Sequence, residues 1–202
     1  MVKKNKLNGH GILDITKKLV YGRTSYSPSS QRVLDKVGNE TITKMFVYRY
    51  PLPKFFLLIS NVISKQNFDN LFHLFLIVET SSGHRVLIEK NSQINVAIKF
   101  SLKDSSDYQE IINPPQITIN ELLSKTNERM KDKFFYYSAA KNNCQDFLLN
   151  VLQANGINQS HDFIKQNTEQ IFKSHPELIK FCKIVTDLDA KIDILKQGGR
   201  LI

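Results

Sequence analysis

The sequence predicts an α+β fold in which an antiparallel sheet packs against helices. Three observations predict it. Residues Leu71–Glu79 are almost continuously apolar, as in a strand covered on both faces, and a short Gly-containing turn returns the chain along His84–Lys90. Helix-start signals stand at Ser27-Pro28, at Thr118-Ile119-Asn120-Glu121 and at Asn142-Asn143. Behind the last of these, Phe147, Leu148, Val151 and Leu152 fall on one helical face.

Each element follows from local chemistry. Residues 1–26 read as a leading segment with partial order. Ser27 caps a helix with Pro28 at its first position; it runs to about Lys36, and Gly38 stops it. Thr41–Tyr50 alternates and is rich in β-branched and aromatic residues, which predicts a strand ended by Pro51 and Pro53. Lys54–Ser64 reads as a short apolar helix. Leu71–Glu79 and His84–Lys90 form a hairpin about Ser81-Ser82-Gly83, and Ile94–Leu102 reads as a third antiparallel strand. Thr118 and Glu121 fit a capping box opening a helix to about Lys133. Phe134–Tyr137 reads as a short strand or extended approach. Asn142-Asn143 opens the next helix, which Gly156 closes. Ser160–Gln197 reads as two helices broken near Ser174–Pro176, before a loose tail at Gly198-Gly199.

Composition excludes several classes. The chain has 202 residues, 28 Lys+Arg against 19 Asp+Glu, and 41% hydrophobic residues, enough to bury a core despite the net charge of +9. Its length suits one domain with appended parts. Two cysteines cannot build a disulfide framework, which suits a soluble protein of a reducing compartment such as the cytoplasm. There is no secretory signal, no run near the ~20 apolar residues of a membrane span, no paired-cysteine or HExxH zinc pattern and no Gly-rich phosphate loop. No metal or cofactor is implied.

The charge is uneven. Residues 1–70 carry a net +8, residues 71–133 are neutral and residues 134–202 carry +1. Aromatic residues stand among the basic ones at Tyr21-Gly22-Arg23, Tyr48-Arg49-Tyr50 and Lys54-Phe55-Phe56. Arg23, Arg49 and Lys54 are therefore candidates for contact with an anionic membrane surface, ahead of nucleic acid. A solvated basic face accounts for the same bias.

Cys144 is the candidate nucleophile. It follows the N-cap Asn143 at a helix start, where the dipole and unpaired N–H groups favour a thiolate and stabilise an oxyanion. Gln145 offers a further polar contact. Cys182 lies in an expected C-terminal helix and reads as packing. The base a cysteine needs is His73, placed inside the most apolar strand, where an imidazole requires partners. A hairpin centred on Ser82 sets Asn91 opposite His73 and Glu89 diagonal to it on the same face. Either can orient the ring, as the third member of a triad does. Taken singly, Cys144 and His73 each read as packed core residues; the combination is the demanding feature. His84, beside the turn, reads as surface.

The segments Phe72-His73-Leu74-Phe75-Leu76 and Asn143-Cys144-Gln145-Asp146-Phe147 resemble the two motifs of the circularly permuted papain-like superfamily. That superfamily includes the lecithin:retinol acyltransferase-like proteins and permuted NlpC-type hydrolases. The resemblance covers roughly residues 70–155. It implies a permuted papain-like core over 71–157; the resemblance does not explain the rest, which reads as a basic, aromatic-containing N-terminal extension (1–70) packed on the core and a C-terminal helical extension (158–202). It also implies Cys144 as nucleophile, His73 as base and Glu89 or Asn91 as the orienting residue. Two departures stand out: Glu89 or Asn91 replaces the usual second His, and Gln145 replaces the frequent acidic residue after the Cys. The chain as a whole also resembles members carried by DNA viruses and virus-derived elements, which would place it in a host cytoplasm or a virion.

The expected function is a cysteine-dependent hydrolase or acyltransferase on an ester or amide, with a lipid or protein acyl substrate. A peptidase or isopeptidase is the main rival. A catalytically inactive membrane- or nucleic-acid-binding module of the same fold is the non-enzymatic alternative.

Overall fold

The computed structural model describes residues 25–51, 72–104, 106–138 and 142–165. Along the chain these form α1 (Pro28–Val37), β1 (Ile42–Pro51), β2 (Phe72–Thr80), β3 (Arg85–Lys90), β4 (Ile94–Ala97), β5 (Asp107–Glu110), α2 (Ile119–Met130), α3 (Cys144–Ala154) and α4 (His161–Ile164). The class is α+β, and the strands make one five-stranded sheet in the order β4-β3-β2-β1-β5. Every neighbouring pair is antiparallel.

Local signals set most boundaries. The Ser27 side chain accepts from the Ser30 N–H, with Pro28 just inside the helix. Gly38 ends α1 without a left-handed conformation: its φ is −64°. What requires glycine there is space, because a Cβ would strike the Leu34 carbonyl and the Asn120 side chain. Gly83 has φ 81°, the left-handed geometry that the hairpin turn demands. Thr118 and Glu121 close a complete capping box at α2.

One face of the sheet is aliphatic and meets the helices. Met45, Val47, Leu74, Leu76, Val78, Val86 and Ile88 share a cluster with Leu122 of α2 and with Phe147, Leu148, Val151 and Leu152 of α3. The opposite face carries an aromatic track. Tyr108 stacks on Tyr48 at 5.1 Å, and Tyr48 stacks on Phe75 at 5.4 Å between ring centroids. Tyr50 then meets the imidazole of His73 at 5.3 Å. Both faces of β2 are thus buried, as its continuous apolar run predicts.

Several expectations need correction. The third strand is shorter than Ile94–Leu102 and ends at Ala97. A further strand, β5, pairs with β1 and was not expected; all four of its residues are exposed, so it carries no apolar alternation to read. The helix opened at Thr118 ends at Met130, and Lys131–Lys133 form a 3-10 turn. Phe134 and Phe135 are turn, and Tyr136 and Tyr137, without regular structure, lead to a bridge between Ser138 and Asn142. From the N-terminal 70 residues, β1 is hydrogen-bonded between β2 and β5. Within 71–157, β2, β3 and β4 pair with one another, and β5 joins the sheet through β1. Of the expected C-terminal helices only His161–Ile164 is described. The expected helix Lys54–Ser64 lies outside the described residues.

Candidate active site

Asn143 is the cap that opens α3. Its Oδ1 accepts from the N–H groups of Gln145 at 2.9 Å and Asp146 at 3.3 Å, while Asp146 Oδ2 accepts from the Asn143 N–H at 3.1 Å. This capping box fixes the first turn and places Cys144 at its first position. Two first-turn N–H groups are therefore occupied. The Cys144 N–H has no acceptor among the described residues, and it is the donor left for an oxyanion. The Gln145 side chain is buried beside it.

His73 lies on the aromatic face of β2 and is only 4% exposed. Its Nε2 is 2.8 Å from Glu89 Oε2. Glu89 is buried too, and its other oxygen, Oε1, accepts from Asn95 Nδ2 at 3.0 Å and Asn91 Nδ2 at 3.2 Å. The sequence left Glu89 and Asn91 open as orienting residues. The structure brings Glu89 to the imidazole and Asn91 to Glu89. The register explains this: Phe75 pairs with Glu89, so the carboxylate reaches diagonally to His73.

A carboxylate holding three donors stays ionised. Burial alone would raise the Glu89 pKa, but its hydrogen bonds to His73 and Asn95, and the charges of His73 and Lys103, hold it below the ordinary value. Because a carboxylate only accepts, Nε2 must carry the proton. Nδ1 is then the ring nitrogen left for the Cys144 sulfur. The contact is looser than an ordinary hydrogen bond, since Nδ1 meets no partner at strict hydrogen-bond geometry. Burial lowers the imidazole pKa, but Cys144 and Glu89, as hydrogen-bond partners and as charges, together push it up to about 10.

The surroundings restrict the ring further. Tyr50 and Phe75 flank it at 5.3 and 6.2 Å between centroids. Lys103 places its Nζ 3.8 Å from the centre of the Tyr50 ring, a cation–π contact at the rim of the site. No group of three or more metal-ligating side chains occurs among the described residues.

The remaining candidates are placed differently. Arg49 is engaged within the protein: its guanidinium lies over the rings of Phe163 (4.1 Å) and Phe72 (4.7 Å), with Nη2 3.2 Å from Asp107 Oδ2. Arg23 and Lys54 lie outside the described residues, as does Cys182. His84 is partly exposed and bonds Glu40 at 2.9 Å. Two site residues escaped the sequence reading. Asn95 sits directly opposite Glu89 on β4, and the parity argument used for the first hairpin would have found it across the next turn. Lys90 gave no signal, because a lysine at a strand end reads as solvated.

No protein-family model matches the chain, and neither a curated protein nor a solved structure does. Among the described residues no helix is long and apolar enough to cross a membrane.

Proposed function

We propose that the protein is a cysteine-dependent hydrolase or acyltransferase of the circularly permuted papain-like kind, acting on an ester or amide bond. The observation that carries this reading is the set of contacts around His73. One ring nitrogen is held 2.8 Å from the buried Glu89 carboxylate, and Cys144 acts on the imidazole from the start of a helix. Ordinary core packing does not call for a carboxylate with three donors beside a histidine.

In this mechanism the thiol proton lies on Nδ1, where the raised imidazole pKa favours it, and Sγ attacks the carbonyl carbon. The carbonyl oxygen becomes an oxyanion facing the Cys144 N–H. The bond to the alcohol or amine breaks, and that leaving group carries away the proton from Nδ1. A thioester remains on Cys144. Water, or an acceptor alcohol or amine, attacks it and gives its proton to Nδ1; the acyl group departs and the Cys144–His73 pair is restored. Glu89 holds the Nε2–H throughout and stabilises the imidazolium. The acyl substrate is a lipid or a protein. Because Arg49 is occupied internally, the reading assigns no membrane contact to it.

The test is acyl-enzyme trapping. The full chain is incubated with a panel of activated acyl esters and peptide amides, followed by intact-mass measurement, beside iodoacetamide labelling across pH. An acyl adduct on Cys144 that is lost in Cys144→Ala and slowed in His73→Gln is the expected result. No adduct from any substrate, with labelling of Cys144 no faster than in the urea-unfolded chain, overturns the reading.

A further inference from the structure

Lys90 is the buried titratable group that this chemistry leaves unused. Its side chain is fully buried, yet lysine is almost never found so unless something holds it. Its Nζ donates to the carbonyls of Phe134 (2.7 Å) and Lys133 (2.8 Å) and stands 5.6 Å from the Phe147 ring centre. A methionine or leucine would fill the same volume with no charge to desolvate. The two carbonyls belong to the turn that leads into the Cys144 segment, and Phe147 lies one turn after Cys144 on α3. Asn142 Nδ2 donates to the same Lys133 carbonyl at 2.7 Å. Lys90 therefore grips the chain on both sides of the nucleophile.

We infer that Lys90 is a positioning residue, which sets where the start of α3, and so Cys144, stands against His73. The inference rests on the thiol-enzyme reading above and assigns a role within the same site. Strand geometry gives the device its economy. Glu89 leaves one face of β3 to hold His73, and Lys90 leaves the other to hold the segment bearing Cys144. The charged group that acts on Lys90 is Asp146 of α3; the Lys133 turn offers it backbone carbonyls, and Glu89 is on the far face. Burial pulls its pKa down to about 7 against the opposing effect of Asp146, so its charge changes near neutrality. Either form has enough N–H groups for both carbonyls.

The experiment compares the full-length protein with Lys90→Met and Lys90→Arg, reading iodoacetamide labelling of Cys144 across pH and the His73 titration by NMR. With Lys90→Met, labelling slows about tenfold or more, as expected when a reacting atom is displaced. The His73 pKa falls from its value near 10, because Cys144 no longer stands against the ring. Lys90→Arg keeps donors for both carbonyls, and labelling stays near the parent rate. A folded Lys90→Met protein with parent labelling and an unchanged His73 titration overturns the inference. If Lys90→Met does not fold, Lys90→Gln, which is too short to hold both carbonyls, is read in its place, and parent labelling with an unchanged His73 titration in it overturns the inference. Should the parent Cys144 label no faster than unfolded chain, the enzyme reading fails by itself. The His73 titration then still tests the role of Lys90.

Discussion

Glu89 and Lys90 are consecutive residues whose side chains leave opposite faces of β3 and hold opposite partners of one site. Glu89 bonds the His73 imidazole at 2.8 Å, and Lys90 bonds the Phe134 carbonyl at 2.7 Å on the turn that precedes Cys144. A one-residue slip of β3 would exchange the two faces and lose both contacts. The register of the β2–β3 hairpin is thus a condition of the site as well as of the core.

Glu89→Gln tests the carboxylate directly. It removes the charge that helps hold the imidazolium while nearly preserving shape. The His73 pKa is expected to fall below about 10, read by NMR, and acyl-enzyme formation to slow by roughly 10²-fold or more, as for loss of an orienting carboxylate. An unchanged titration would show that Glu89 does not govern the ring.

Asn95→Ala and Asn91→Ala each remove a donor from Glu89 Oε1. The carboxylate then loses support for its charged form, and its pKa rises. The acid limb of the pH–rate profile is expected to move to higher pH in both variants. Asn95→Ala should move it further, since its contact is shorter, 3.0 against 3.2 Å. A limb that stays in place in both contradicts the assignment.

Asn143→Ala removes the acceptor for two N–H groups of α3. Loss of such a cap costs about 1 kcal/mol of stability in denaturant unfolding. Asn143→Asp retains the acceptor and should recover most of it. Stability unchanged in Asn143→Ala would mean that the box contributes nothing.

Stability against pH follows from three groups. His73 has a raised pKa, so its contribution is complete below its ordinary value of 6.5 and is lost as pH rises through about 10. Glu89 has a lowered pKa, so its contribution is complete above 4.5 and is lost as pH falls through the depressed value. The pair therefore contributes in full between 4.5 and 6.5. Lys90 acts in the other direction. Its folded pKa lies near 7, below the ordinary 10.5, so the cost of burying it is full below 7 and is relieved as pH rises toward 10.5. Urea unfolding from pH 7 to 10 should show parent stability changing little, His73→Gln gaining with pH and Lys90→Met losing. Parallel curves for the three proteins would refute this accounting.

Patterns that act over a few residues were legible in the sequence. Ser27-Pro28, Thr118 with Glu121, and Asn143 mark helix starts because a cap bonds within its own turn. The hairpin about Ser82 was legible because its turn and pleat fix parity, and parity placed Glu89 on the face of His73. What stayed hidden depends on chain segments far apart. The exposed strand β5 has no alternation, and it is a strand because β1 lies beside it. The interior place of β1 likewise follows from two partners distant in sequence.

The sequence by itself determined the α+β class, the hairpin carrying His73 and Glu89, and the capped helix that begins at Cys144, since each rests on local backbone chemistry. Only the tertiary structure decided that Glu89, not Asn91, touches the imidazole, that Asn95 supports it, and that Arg49 is enclosed between Phe72 and Phe163. It also decided that Lys90 is buried. A strand-end lysine becomes a core residue only when carbonyls and an aromatic ring from 40 and more residues away converge on its ammonium group.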